Sequence, residues 1–397
     1  ARPTRRPTPS FQSIATMIVG TTIIASASAC SPLPDVKYET DRLRIAPTFD
    51  DPICEGTLVT LDDHLEQVED GLGVISNGEP FLLYWQREDI EDSCGEGRGG
   101  CFFPASRVMF ARGPSITHEM THAVLDSVGE SYFLEEGMAE LLSGVGVYYD
   151  VDEAEAGPAE RLRLSRSTYR EGHFDYAGAA HFMRWIYDRR GVAGVRRLAI
   201  EVEHGAPPEH LEDALEQIMG MSIHEIEVAY RHDAKKAYEG MGYERTPELP
   251  VEEIDDDEES EGPESFLVTV AVDLECEAET TMGPLPEERE GMYQVRRFRV
   301  PENVGAVLRV EGDPGTWVQV FDPYARKRRG VMTDWMLPSK TIDHDALELR
   351  PGEVVDAELH PGVWAVVLGA DGVASGKVSL EIELAAPPPP PDPGEWM

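Results

Sequence analysis

Basic side chains are scarce in this chain of 397 residues: 35 lysines and arginines stand against 75 aspartates and glutamates, for a formal net charge of −40. That shortage excludes nucleic-acid binding, which rests on clustered Lys and Arg facing phosphate. It also excludes docking on anionic lipid through a basic surface. The one basic cluster, Arg326-Lys-Arg-Arg329, reads as a solvated loop in so acidic a chain. Long apolar runs are missing as well. The stretch Ile14–Ile24 is short and threonine-bearing, too brief for a comfortable membrane span. Aromatic residues make up only 8%, yet 41% hydrophobic content suffices for ordinary cores and argues against wholesale disorder. Cysteines are few, and their number, five, is odd.

The first thirty residues differ in composition from the rest. Arg2, Arg5 and Arg6 precede the short apolar run, which ends in the small residues Ala25-Ser-Ala-Ser-Ala-Cys30. A basic start, an apolar stretch and small residues predict a secretory signal over 1–29. Ala27-Ser-Ala-Cys30 resembles a bacterial lipobox, although Ala27 stands where Leu is usual. The resemblance implies a lipid on Cys30, a tether over 30–37 and a protein of the cell envelope; plain secretion is the alternative. Removing 1–29 takes three positive charges away and leaves −43. It also leaves Cys54, Cys94, Cys101 and Cys276, an even set for two disulfides in an oxidising compartment. Cys94 and Cys101 bracket a glycine-rich turn and read as a local pair, while the pairing of Cys54 with Cys276 stays open.

The predicted fold class is α+β: a mixed α/β lobe plus a helical lobe over 38–245, followed by an all-β sandwich over 266–385. Residues 32–45 read as an extended lead-in. Thr60 is expected to cap a helix whose Leu61, His64, Leu65, Val68 and Leu72 share one face. Strand-like runs follow at 81–85 and 107–111, and from Ser115 to about Tyr238 the pattern is mostly helical. Residues 246–265 hold ten acidic residues, no basic ones and three prolines, the composition of a solvated linker. Beyond it, strands are expected at 266–274, 293–300, 306–310, 317–321, 354–359, 363–368 and 378–384, separated by turn residues. Two of these runs faintly resemble β-sandwich domains appended to secreted bacterial peptidases. Residues 386–397 form a stiff proline-rich tail.

The sharpest signal is His118-Glu119-Met120-Thr121-His122. On a helix, residues four apart share a face, so both imidazoles can grip one metal ion while Glu119 sits beside it to take a proton from water. Ser115 and Gly129 are fair ends for that helix. A catalytic zinc wants three protein ligands and an open position. Thirteen residues separate His122 from Glu136, within Phe133-Leu-Glu-Glu-Gly-Met-Ala139.

Here the chain resembles the gluzincins, zinc metallopeptidases that include thermolysin-like, M1-type and bacterial peptidase MA-like enzymes. In that group an aromatic-Leu-x-Glu-Gly-x-Ala run follows H-E-x-x-H and its Glu is the third ligand, which maps to Glu136. Glu135 and Glu140 are the backups, with Glu140 suited to support a ligand from behind. The segment Phe174-Asp-Tyr176…Gly191 resembles the family's Tyr-x-x-Gly stretch, whose tyrosine steadies the oxyanion. That maps to Tyr176, with His173 the alternative donor; His181 and His64 read as packing or surface histidines. The resemblance covers roughly 38–240. It implies peptide-bond hydrolysis with Zn²⁺, Glu119 as general base, and a peptide lying along the edge strand near Arg107–Ala111. No Gly-x-Met-Glu-Asn run is present to hold a free amine, so an endopeptidase is expected rather than an aminopeptidase. The rival expectation is a membrane-anchored binding or scaffold protein on a peptidase-like lobe, with zinc structural or absent. The expected partners are a peptide or protein substrate, with membrane contact only through the lipid on Cys30.

Overall fold

The computed structural model describes residues 33–397 apart from 74–78, 88–89, 96–97, 126–131, 144–146, 150–174, 202–207, 236, 242–248, 251, 255–264, 285–290, 301–303, 323–346, 373–374 and 385–397. The signal segment, Cys30, Gly129, His173, the 326–329 cluster and the proline-rich tail therefore lie outside the described residues.

The N-terminal lobe is built on a five-stranded sheet in the order β1-β2-β3-β5-β4: β1 Tyr38–Glu39, β2 Leu43–Pro47, β3 Phe81–Trp85, β4 Gly100–Phe103 and β5 Val108–Ala111. β2, β3 and β5 run parallel, and β1 and β4 close the two sides antiparallel. The crossover from β2 to β3 is α1, Glu55–Leu72. This helix begins six residues earlier than expected: Cys54 is the N-cap residue, and Thr60 lies inside, donating its hydroxyl to the Gly56 carbonyl at 2.6 Å. A one-turn α2, Glu91–Cys94, precedes β4. The helical part comprises α3 Ile116–Leu125, α4 Tyr132–Ser143, α5 Tyr176–Glu201 (kinked at Gly191, φ 63°), α6 Pro208–Met219 and α7 Ile223–Asp233. A small ladder, β6 Val147–Tyr149 with β7 Ala237–Glu239, completes it.

The sandwich matches the alternation of the sequence. One sheet has the order β14-β11-β16-β9-β8: β8 Glu252–Ile254, β9 Ser265–Leu274, β11 Val304–Gly312, β14 Val354–Leu359 and β16 Gly376–Leu384. The other is β10-β15-β12-β13: β10 Gly291–Val300, β12 Thr316–Phe321, β13 Leu347–Leu349 and β15 Gly362–Asp371. Val268, Val270, Leu308, Leu380 and Ile382 of the first sheet meet Phe298, Val318, Val366 and Leu368 of the second in one apolar core. The intervening residues of the second sheet are also buried: Tyr293, Val295, Trp317, Phe321, Ala365 and Val367 belong to the same continuous cluster as the N-terminal lobe's core. β15 is thus apolar on both faces, which is why Gly362–Asp371 reads as a near-continuous hydrophobic run rather than an alternating one.

The lobe and one sheet of the sandwich thus share a continuous apolar cluster. Within 246–265, Glu252–Ile254 pairs with Ser265–Leu267 as an edge strand, so the expected tether is partly incorporated into the sheet. The main junction is the N-terminus of α1. An α-helix leaves its first N–H groups without internal partners, and α1 has no side-chain cap. The sandwich supplies carbonyls instead: Glu55 N–H donates to Cys276 at 2.8 Å, Gly56 N–H to Thr281 at 3.0 Å, and Cys54 N–H to Gly283 at 3.1 Å. Thr57 Oγ1 donates to the Gly283 carbonyl and accepts from its N–H, both at 2.9 Å. The disulfide Cys54–Cys276 locks the junction across 222 residues. Closing so long a loop is worth roughly 5 kcal/mol in unfolded-chain entropy. Cys94–Cys101 forms the second disulfide. Two disulfides suit an oxidising environment, and no helix among the described residues is long and apolar enough to cross a membrane.

Candidate metal centre

Two successive helices bring the site together. His118 and His122 are one turn apart on α3, and Glu136 lies on α4. His118 Nε2 is 2.9 Å from Glu136 Oε2, His122 Nε2 is 3.2 Å from the same oxygen, and the two Nε2 atoms are 3.1 Å apart. Zinc–ligand bonds of about 2.0–2.1 Å in tetrahedral array place ligand atoms about 3.3 Å from one another. Three donors at 2.9–3.2 Å spacing therefore fit one small cation, and this His-His-Glu group can hold a metal ion. His118 and Glu136 are only 5% exposed, so any charge the set binds is screened little by solvent.

Both histidines have a second carboxylate behind them. Glu140 Oε2 lies 3.4 Å from His118 Nδ1, and Glu135 Oε1 lies 3.8 Å from His122 Nδ1. The two backup ligands are thus placed at the far nitrogens, where a carboxylate fixes ring orientation and raises ligand basicity. Burial works against protonated His118, but its contacts with Glu136 and Glu140 outweigh that and raise it well above its ordinary value. His122 is raised in the same way, by Glu136 against burial. Burial would push Glu136 up, yet the two histidines hold it well below the usual carboxylate range. Glu119 behaves oppositely. Its burial dominates and raises it, with His122, His118 and Arg98 only partly offsetting.

Glycines account for the close approach of the elements. Gly137 follows Glu136, and a Cβ there would lie 2.7 Å from the Ala179 carbonyl oxygen. Only glycine lets α5 come this near α4. The Asp175 side chain accepts from Gly178 N–H at 2.9 Å, capping α5 and fixing Tyr176 as its first residue. The Tyr176 ring then stands edge-on to His118, with centroids 6.1 Å apart. A Cβ on Gly100 would meet Glu119 Cγ at 2.4 Å and Oε1 at 2.5 Å, and one on Gly99 would meet Ser115 Oγ at 2.2 Å. The glycine run between Cys94 and Cys101 is therefore a packing surface for α3 as well as a turn.

His64 and His181 are both buried, as structural residues. His64 Nε2 donates to the Thr117 carbonyl at 3.0 Å and lies 3.0 Å from Thr121 Oγ1, bracing α3 from α1. His181 contacts Tyr230 Oη at 2.7 Å and the Lys235 carbonyl at 2.9 Å, tying α5 to the end of α7. The sequence offered a signal for His64, a polar residue on an apolar helix face, but none for Gly100 or Arg98. One expectation needs correcting. Arg107–Ala111 is not an edge: β5 is flanked by β3 and β4, and the outer strand beside α3 is β4, Gly100–Phe103. The disulfide folds the glycine-rich segment back onto β5, a pairing that a reading of the segment as turn alone misses.

No family profile and no curated protein matches the chain. Among solved structures it is similar to the pre-peptidase C-terminal domain of a collagenase from Bacillus anthracis, with 13% identity and a TM-score of 0.17 over 29% of this chain and 86% of that one. It is also similar to Legionella pneumophila aminopeptidase A, solved in complex with aspartic acid, with 8% identity and a TM-score of 0.33. That match covers 80% of this chain and 34% of the aminopeptidase, so the chain spans about a third of its length.

Proposed function

We propose that the chain is an exported zinc-dependent metallopeptidase that hydrolyses internal peptide bonds. The observation that carries this reading is the convergence of His118, His122 and Glu136 on one point, with the buried carboxyl of Glu119 on the same helix. A pair of imidazoles and a carboxylate suits Zn²⁺, which when bound supplies Lewis acidity to a carbonyl and a water. Glu119 accepts the proton of the attacking water and passes it to the leaving amine. Burial raises its affinity for protons, the direction that favours taking up the proton it passes on. Tyr176, fixed at the start of α5 beside His118, donates a hydrogen bond to the oxyanion that develops on the attacked carbonyl. A substrate peptide adds its backbone to β4, the outer strand against which Glu119 packs. Glu135 and Glu140 orient the histidines. Export rests on the N-terminal pattern and the two disulfides, and a lipid on Cys30 would hold the enzyme at the membrane surface.

The test is Glu119→Gln beside the parent, assayed on a peptide mixture with fragments read by mass spectrometry. The reading expects the variant to keep its metal and lose at least about 100-fold in turnover, the scale on which a positioned acid–base group acts. Retention of full activity by Glu119→Gln would remove Glu119 from the chemistry.

A further inference from the structure

Helix α1 runs from the sandwich to the metal group. At its start the carbonyls of Cys276, Thr281 and Gly283 accept from Glu55, Gly56 and Cys54, and Cys54 is disulfide-bonded to Cys276. Two turns beyond Thr57, about 10 Å along the axis, stands His64, fully buried against α3. Its Nε2 lies 3.0 Å from both the Thr117 carbonyl and Thr121 Oγ1. Thr121 donates its own hydroxyl proton to the Thr117 carbonyl at 2.8 Å, so Nε2–H is the donor to both. These two threonines immediately precede His118 and His122. Leu61, Leu65 and Val68 of α1 share an apolar cluster with Met120 and Val124 of α3. Apolar burial is non-directional, whereas a hydrogen bond weakens steeply off its axis. The directional part of the contact is therefore His64.

We propose that His64 is a positioning residue for the metal group, through which α1 carries the anchorage of the sandwich to that group. Gripping two threonines one turn apart fixes how α3 is rotated about its own axis and where it sits along α1. The site is sensitive to that rotation. An imidazole nitrogen about 6 Å from the helix axis moves about 1 Å for a rotation of about 10°. The slack in a metal–ligand distance is only about 0.2 Å. Glu136 belongs to another helix, so rotating α3 carries His118 and His122 away from it together. Glu135 and Glu140 act on the rings, and His64 acts on the helix that bears them. Spreading the junction between α1 and the sandwich shifts α1, and His64 passes the shift to α3. The inference rests on the metal-centre reading and not on peptide hydrolysis.

The test reads zinc affinity of the full chain by competition with a chromophoric chelator, beside the stability of the metal-free chain. His64→Leu keeps an apolar side chain at the contact and removes the donor. It is expected to weaken zinc binding by about 10-fold or more, the scale on which residues behind metal ligands act. His64→Gln, whose amide N–H has a similar reach, recovers most of that loss. Thr121→Val removes one acceptor from the other side, weakens binding in the same direction, and serves if His64→Leu does not fold. Leu65→Ala opens a cavity in the same buried helix face, lowering stability with little change in affinity. Cys54→Ser with Cys276→Ser (or Gly56→Ala, should that pair not fold) weakens zinc in the parent. In the His64→Leu background it adds nothing further, the non-additivity of groups that act through one another. Unchanged affinity in His64→Leu, or affinity that falls in step with stability across all variants, overturns the inference and leaves the metal centre intact. So does a junction effect that persists in full without His64. A folded parent that takes up no zinc overturns both.

Discussion

Two glycines of α1 allow a sharp test of how the lobe and sandwich are joined. In free helix geometry, Gly→Ala stabilises by about 0.5–1 kcal/mol, because glycine loses more backbone entropy on folding. At Gly71 nothing lies within 4 Å of the added Cβ, so the gain should appear in full. At Gly56 the Cβ would lie 2.5 Å from the Thr281 carbonyl oxygen and 2.8 Å from that of Glu279. Both are backbone atoms that cannot swing aside, and ordinary contact begins near 3.4 Å. The junction must open by nearly 1 Å, which stretches the bonds from Gly56 N–H to Thr281 and from Glu55 N–H to Cys276 beyond useful range. Each is worth about 1 kcal/mol net, and overpacking adds about 1 kcal/mol or more. Against the intrinsic gain, Gly56→Ala should lose about 2 kcal/mol. Urea unfolding followed by circular dichroism, with parent, Gly56→Ala and Gly71→Ala in parallel, reads the sign directly. If Gly56→Ala proved as stable as the parent or more so, the sandwich loop would not be the cap of α1.

Other outcomes follow from the site and its supports. Gly100→Ala should displace the Glu119 carboxyl and cut turnover by about 100-fold, the cost of a misplacement near 1 Å, with metal content unchanged by elemental analysis. Glu140→Gln, which weakens the hold on His118 Nδ1, should lower metal affinity by about 10- to 100-fold in competition with a chromophoric chelator. In α7, Ser222 Oγ accepts from Glu225 N–H while the Glu225 carboxylate accepts from Ser222 N–H, a reciprocal cap. That contact holds Glu225 below its ordinary value of 4.5. A carboxylate lowered by folding stabilises above its unfolded value and loses that contribution as pH falls through the folded one. The protection of first-turn amides of α7, taken relative to the intrinsic exchange rate at each pH, should therefore fall as pH drops below about 4.5, and Ser222→Ala should lower it already at neutral pH.

Much of this architecture was legible from residue patterns. The strands of the outer sheet emerged from alternation because one face of each meets a core, while β15 emerged as a continuous apolar run because both its faces do. His118 and His122 stood out because two histidines four apart on a helix are a demanding spacing, whereas Glu136 was implied by the resemblance of its Glu-Gly run to the gluzincin motif. What escaped was set by contacts distant in sequence. The start of α1 lies at Cys54 because carbonyls more than 200 residues away cap it, and no local signal at 54–60 records that. β4 hid in a glycine-rich stretch whose strand propensity is poor; its glycines are dictated by Ser115 and Glu119 pressing on them. The short strands β8 and β13 lack alternation long enough to be read, and one lies in the acidic stretch whose charge suggested only repulsion.

The central claim is that His118, His122 and Glu136 hold one catalytic metal ion. The most direct test is metal content per folded chain, for the parent and Glu136→Ala, after loading with zinc and removing the excess. The account predicts about one zinc per parent chain and a small fraction of that in the variant. A folded parent that takes up no zinc, or a Glu136→Ala chain that holds as much as the parent, would contradict it.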